Sequence, residues 1–126
     1  RSLKAMLRRL PGRKLLFTNA PRHYAEAILD IMGVENLFDA VYAIERLRFR
    51  PKPEVQGFLR LLKVERLAPG RCVMVEDSAE NLRTAKALGM QTVLVGSAGI
   101  CKATPAWVDL RLKSVLELPR RLGRLR

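Results

Sequence analysis

Apolar residues in this chain fall into short continuous runs, separated by longer stretches in which they recur every three or four positions. Runs of the first kind read as buried strands, and stretches of the second as amphipathic helices. Their alternation predicts βα units and a parallel sheet with flanking helices. Leu3, Met6, Leu7 and Leu10 have helical spacing, stopped by Pro11-Gly12. A buried strand follows over 14–18. Pro21 suits the first turn of a helix, with Tyr24, Ile28, Ile31 and Met32 as its apolar face and Gly33 near its end. A second strand covers 41–44, and Pro53 opens a helix whose apolar face includes Val55, Phe58, Leu59 and Leu62. Pro69-Gly70 turns the chain into a strand over 72–76; a helix over 78–88 then ends at Gly89, and a strand follows over 91–95. A loop of small residues over 96–106, a short strand over 108–110 and a weak final helix complete the pattern.

Strands alternating with helices in this way predict an α/β fold, a Rossmann-like parallel sheet. In open sheets of that kind, ligands bind beyond the carboxyl ends of the strands. Thr18 and Asp77 both fall at such ends, a placement that follows from the apolar runs alone.

Composition narrows the class. A chain of 126 residues, 48% of them hydrophobic, fits one domain at most and excludes a disordered or fibrous protein. No apolar run approaches the ~20 residues of a membrane span, and the N-terminus has no signal-peptide core. A cytoplasmic location with no membrane partner is therefore expected. Cys72 and Cys101 have no Cys-x-x-Cys or Cys/His spacing and read as two reduced thiols. The net charge of +12 admits a nucleic-acid partner. Against it, basic residues are spread along the chain, densest at Arg120, Arg121, Arg124 and Arg126, and only 6% of residues are aromatic. The interleaved aromatic and basic pattern of a stacking platform is missing, so nucleic acid is not the expected partner.

Three segments carry chemistry. Thr18 and Asn19 end an apolar run just before a helix start. Their hydroxyl and backbone N–H groups can hold a phosphate oxygen beside the positive end of the helix dipole, or one of them can simply cap that helix. Lys52 lies between Pro51 and Pro53, which restrict the backbone on both sides. That would fix an ammonium in one direction, as a transferring phosphoryl group requires; a solvated lysine in a turn is the alternative. Glu76-Asp77 ends the run Val73-Met74-Val75. Adjacent hard oxygen ligands suit Mg²⁺, which takes one or two carboxylates plus water and substrate phosphate. Alternatively, Asp77 or Ser78 caps the following helix.

The separations, 34 residues from Thr18 to Lys52 and 25 from Lys52 to Asp77, fit one βα unit between successive motifs. In this order the three segments resemble motifs two, three and four of the haloacid dehalogenase superfamily of phosphohydrolases. The likeness extends through Phe17-Thr18-Asn19-Ala20-Pro21-Arg22-His23-Tyr24, Ile31-Met32-Gly33-Val34, Phe49-Arg50-Pro51-Lys52-Pro53 and Glu76-Asp77-Ser78 to Leu88-Gly89-Met90, and looks like the pyrimidine 5′-nucleotidase branch. The resemblance implies that Thr18 binds the transferring phosphoryl group and Asn19 supports its loop. It implies that Lys52 neutralises the phosphoryl group and the nucleophile, and that Asp77, assisted by Glu76, holds Mg²⁺. It implies as substrate a small phosphate ester, foremost a nucleoside monophosphate, with a phosphoglycolate or sugar phosphate as the alternative and a non-catalytic basic binder as a different class. His23 reads as a helix-surface or packing residue, and Tyr24 and Trp107 read as packing residues. Gly96-Ser97-Ala98-Gly99 has no Gly-Lys-Ser/Thr after it and so is not a P-loop.

The family's first motif, an Asp-x-Asp that supplies the nucleophile, is absent. The aspartates are Asp30, Asp39, Asp77 and Asp109, and none has a second aspartate two positions on. The resemblance implies a central nucleophile strand between those ending in Thr18 and Glu76, and a cap domain between motifs one and two. The expectation is that residues 1–126 form the C-terminal part of a single core domain, without turnover and of marginal stability alone.

Overall fold

Parallel pairing forms wherever the sequence offered an apolar run of sufficient length. The computed structural model describes residues 2–96 and 103–125, so most of the small-residue loop, with Ser97, Ala98, Gly99 and Cys101, lies outside the described residues. No described helix is long and apolar enough to cross a membrane. The chain divides into two compact units, Arg1–Arg60 and Leu61–Arg126.

The first unit contains α1 (Ser2–Arg9), β1 (Leu15–Phe17), α2 (Arg22–Met32), β2 (Ala40–Tyr42) and the start of α3 (Val55–Glu65). β1 and β2 run parallel, with Leu15, Leu16 and Phe17 opposite Ala40, Val41 and Tyr42. The ladder continues past both ends of β1. Asp39 N donates to Lys14 O, and Thr18 N donates to Tyr42 O at 2.9 Å. Ala25, Leu29, Val34, Tyr42, Ala43, Leu47 and Phe58 are buried. Phe17 meets Phe58 edge-on at 4.8 Å between ring centroids. Gly33 closes α2 at φ +69°, a left-handed conformation that glycine adopts without a Cβ penalty.

Two expectations are corrected here. The face of α2 that meets the core is not Tyr24, Ile28, Ile31 and Met32 but Ala25 and Leu29. Ile31 is 81% exposed and Tyr24 56%. The apolar arc of this helix is wider than the strip the core accepts, and spacing alone cannot choose between its two halves. Similarly, α3 begins at Val55 rather than Pro53, because residues 51–54 form a turn in which Glu54 N donates to Pro51 O.

The second unit holds β3 (Val73–Glu76), α4 (Ala79–Ala87), β4 (Gln91–Val95), β5 (Leu110–Leu112) and α5 (Leu118–Arg121). Its sheet is parallel, in the order β3-β4-β5. Leu82, Leu94 and Val108 form a buried cluster on which Met74, Ala79 and Trp107 pack. Trp107 packs as expected, and its Nε1 donates to Ala79 O at 2.7 Å. β5 starts two residues later than the expected 108–110. Just before it, Asp109 Oδ2 accepts from Thr92 N at 2.8 Å and from Lys86 Nζ at 2.6 Å. Thr92 is fully buried, and its Oγ1 donates to Trp107 O at 2.6 Å. Asp109 N also donates to Thr92 O at 3.0 Å, and the strand register begins with Leu110 opposite Val93.

Candidate active site

Within the first unit, hydrogen bonds join Asn19 to Lys52, and Thr18 precedes Asn19 at the end of β1. Thr18 is the residue at which β1 leaves the sheet: its N–H is still in the ladder, while its Oγ1 accepts from Ala20 N at 3.1 Å. That bond uses an acceptor site of the hydroxyl and leaves its proton to donate elsewhere. Asn19 faces the 51–54 turn. Its Oδ1 accepts from Lys52 N at 2.8 Å and its Nδ2 donates to Lys52 O at 3.2 Å. Both polar groups of the Lys52 backbone are therefore held by one side chain. The lysine side chain turns back along β1, where Nζ donates to Phe17 O at 2.9 Å and lies 4.9 Å from the centre of the Phe17 ring. Lys52 is half-buried, and its position beside the carboxyl end of β1 is fixed from both backbone and side chain.

Neither Thr18 nor Asn19 caps α2. The residue before that helix is Pro21, which makes no side-chain capping bond. The free N–H of Arg22 instead donates to the Glu45 carboxylate, at 2.9 Å to Oε1 and 3.3 Å to Oε2. A carboxylate there also satisfies the positive end of the helix dipole. Ile44 N donates to Ala20 O at 3.0 Å, so the turn after β2 braces the turn after β1 at two points. Glu45 was not singled out in the sequence. No local signal marks it, because its partner lies 23 residues away.

Glu76 and Asp77 stand at the end of β3 in the second unit. The cap of α4 is Ser78, whose Oγ accepts from Asn81 N at 3.3 Å. Glu76 is half-buried, and its Oε1 accepts from Asp77 N at 3.2 Å. Asp77 is exposed, and among the described residues no hydrogen bond or ion pair engages its carboxylate. Among the described residues there is also no group of three or more His, Cys, Asp or Glu able to hold a metal ion. Two adjacent carboxylates, one uncommitted and wet, nevertheless match the donor set of Mg²⁺, which retains several waters and needs only one or two protein oxygens. His23 is exposed on α2, consistent with a surface residue. Cys72, just before β3, is a free half-buried thiol whose Sγ lies 3.4 Å from Ala68 O, and burial pushes its pKa up.

A model of haloacid dehalogenase-like hydrolases matches residues 2–89. Hexitol phosphatase B of Escherichia coli is 30% identical over 105 residues, which are 82% of this chain and 46% of that protein. Fructose-1-phosphate phosphatase YqaB of the same organism is 33% identical over 76 residues, 60% of this chain and 40% of its own length. Phosphoglycolate phosphatase of Chromobacterium violaceum is 27% identical over 113 residues, 90% of this chain and 50% of that protein. Among solved structures, a HAD phosphatase from Thermococcus onnurineus is 27% identical with a TM-score of 0.81, covering 97% of this chain and 57% of its own. The putative HAD-hydrolase YfnB of Bacillus subtilis, bound to magnesium, shares the fold at 15% identity and a TM-score of 0.82, over 94% of this chain and 54% of that one. The chain thus spans about half the length of the curated relatives it matches.

Proposed function

We propose that this chain, which belongs to the haloacid dehalogenase-like hydrolase family, carries the phosphate- and metal-binding part of a hydrolase of small phosphate monoesters. The observation that carries the reading is the Thr18–Asn19–Lys52 cluster at the end of β1. The Thr18 hydroxyl proton and nearby N–H groups would bind a phosphoryl oxygen. Lys52 would set a fixed positive charge beside the phosphoryl group, and Asn19 would hold the backbone that aims it. Asp77, with Glu76, would hold Mg²⁺, which when bound neutralises phosphoryl charge and orients the group for in-line attack.

In this reading an aspartate carboxylate attacks phosphorus; an O–P bond forms as the ester P–O bond breaks, and the departing alkoxide takes a proton. Water then hydrolyses the aspartyl-phosphate, returning carboxylate and phosphate. No aspartate of this sequence stands in the Asp-x-Asp pattern. The nucleophile is accordingly assigned to protein outside these 126 residues, and the chain alone is expected to have no turnover. Residues 1–126 would then form part of one larger core domain. The motif likeness favours a nucleoside monophosphate as substrate. The relatives named for hexitol phosphate, fructose 1-phosphate and phosphoglycolate support the alternative about equally. The free Cys72 thiol accords with a cytoplasmic setting.

Calorimetric titration of the pure chain with inorganic phosphate, with and without Mg²⁺, tests the reading. The expected result is Mg²⁺-dependent phosphate binding, lost in Asp77→Asn and weakened in Lys52→Met. Phosphate binding indifferent to both substitutions, or none at all, would overturn it.

A further inference from the structure

The turn that braces the phosphate-binding residues carries two side chains that the proposed reaction does not use. Arg48 and Phe49 are consecutive non-glycine residues in the left-handed region, at φ +55° and +57°. Side chains adopt that conformation reluctantly because Cβ crowds the backbone, and a bulky aromatic does so least readily. The conformation is nonetheless firmly held: Leu47 N donates to Ala43 O, Arg48 N to Glu45 O, Phe49 N to Ile44 O and Arg50 N to Leu47 O, all between 2.9 and 3.1 Å.

This strained backbone does not bury an apolar group. Phe49 is 69% exposed, and among the described residues it has no aromatic partner. Arg48 is exposed as well, and no hydrogen bond or ion pair engages its guanidinium among the described residues. Its neighbours differ: Arg46 lies 4.0 Å over the Tyr42 ring, and Arg50 pairs with Glu54 at 3.4 Å. The backbone of this turn is also tied to the site by a short chain of bonds. Phe49 N donates to Ile44 O, Ile44 N to Ala20 O, and Ala20 N to the Thr18 hydroxyl. Three residues after Phe49 comes Lys52.

Resting on the phosphate-binding reading above, we infer that Arg48 and Phe49 form a ledge that recognises the leaving group of the phosphate ester. An exposed aromatic ring on the turn that leads into Lys52 suits a leaving group that presents a flat face, either a nucleobase or the C–H face of a sugar. The free guanidinium suits hydroxyl or carbonyl oxygens on that same group. Both side chains are specificity determinants and take no part in phosphoryl transfer.

The test compares wild type, Phe49→Asn and Phe49→Leu by calorimetry in Mg²⁺, with cytidine monophosphate, fructose 1-phosphate and inorganic phosphate as ligands, and by thermal melts. Asparagine tolerates the left-handed conformation, so Phe49→Asn removes the ring while relieving the backbone. The expected result is a Tm that holds or rises, an unchanged Kd for inorganic phosphate, and roughly tenfold weaker binding of one ester, the loss expected for one stacked ring. Which ester loses affinity identifies base or sugar as the recognised face. Phe49→Leu should show the same ester loss without the gain in Tm. If inorganic phosphate binds and the ester affinities do not move, the ledge is wrong while the phosphate site stands. A Tm that drops sharply in Phe49→Asn would make Phe49 a packing residue and overturn the inference. Absence of phosphate binding in wild type would overturn both readings.

Discussion

If Asn19 works by holding the Lys52 backbone, the two residues must be energetically coupled, and a double-mutant cycle measures that coupling. Asn19→Ala removes two hydrogen bonds to Lys52, at 2.8 and 3.2 Å. A typical intramolecular bond contributes about 0.5–1.5 kcal/mol net; Asn19 is exposed, so the lower end applies and the pair should be worth about 1 kcal/mol. Lys52→Met keeps the apolar stem but removes the bond from Nζ to Phe17 O and the cation over the Phe17 ring. A charge-assisted bond and a partly exposed cation–π contact together suggest about 1–2 kcal/mol.

These losses should not add. Once Asn19 no longer fixes the 51–54 turn, the ammonium is aimed less accurately, so Lys52→Met should cost about 0.5 kcal/mol less in the Asn19→Ala background, within the range for contacting residues. Urea unfolding of the four variants gives the cycle, provided the m-values agree. Additivity within about 0.3 kcal/mol would refute the reasoning, because Asn19 would then act independently of where the ammonium points.

Two other predictions concern groups whose roles the structure separates. Asp109 is pulled two ways: burial raises its pKa, but the bonds from Lys86 and Thr92 outweigh burial and hold it below its ordinary value of 3.8. A carboxylate depressed on folding stabilises fully above that ordinary value and loses its contribution as pH falls through the lower folded value. Urea midpoints of wild type should therefore fall with acid below about pH 4, and those of Asp109→Asn should fall less steeply over the same window; parallel acid limbs would contradict this. At the end of β3, Ser78→Ala should lower stability by about 1 kcal/mol through loss of the cap, with Mg²⁺ affinity intact. Asp77→Asn should do the opposite, and thermal melts paired with Mg²⁺ titrations would expose any exchange of the two roles.

Most strands were easy to find, because β1 to β4 lie in nearly unbroken apolar runs and such runs are conspicuous, whereas β5, Leu110-Arg111-Leu112, is not such a run. The sequence was less informative about surfaces. On α2 six apolar residues share one broad arc, and nothing in their spacing says that Ala25 and Leu29 turn inward while Ile31 faces water. Ser114-Val115-Leu116-Glu117 carries a legible capping-box signal; Leu116 N donates to Ser114 Oγ and Ser114 N to the Glu117 carboxylate, which starts the C-terminal helical turns. By contrast, the Asp109–Thr92–Lys86 network and the Glu45–Arg22 bond join residues 17 to 23 positions apart. Contacts of that range leave no local pattern. Arg48 and Phe49 gave no warning either, since left-handed turns are recognised by glycine or asparagine and this one has neither.

Helix capping was the ordinary explanation for each polar residue at a strand end, and the structure resolves it differently at the two ends. After β1 the cap is supplied from a distance by Glu45, which leaves Thr18 and Asn19 to bond with Ala20 and Lys52 instead. After β3 the cap is local, but it is Ser78, and Asp77 is left over. Asp77 is exposed, so no cost of burial demands a positive partner for it, and what recommends it is availability. A solvated carboxylate that caps nothing and pairs with nothing among the described residues can accept a hydrated cation with little local rearrangement. Such a site should be weak without phosphate, because Mg²⁺ gives up its water reluctantly and two protein oxygens do not fill its shell. Phosphate and Mg²⁺ are thus expected to strengthen each other's binding by the same factor, as linkage requires. Binding of either one with an affinity indifferent to the other would refute the proposed function.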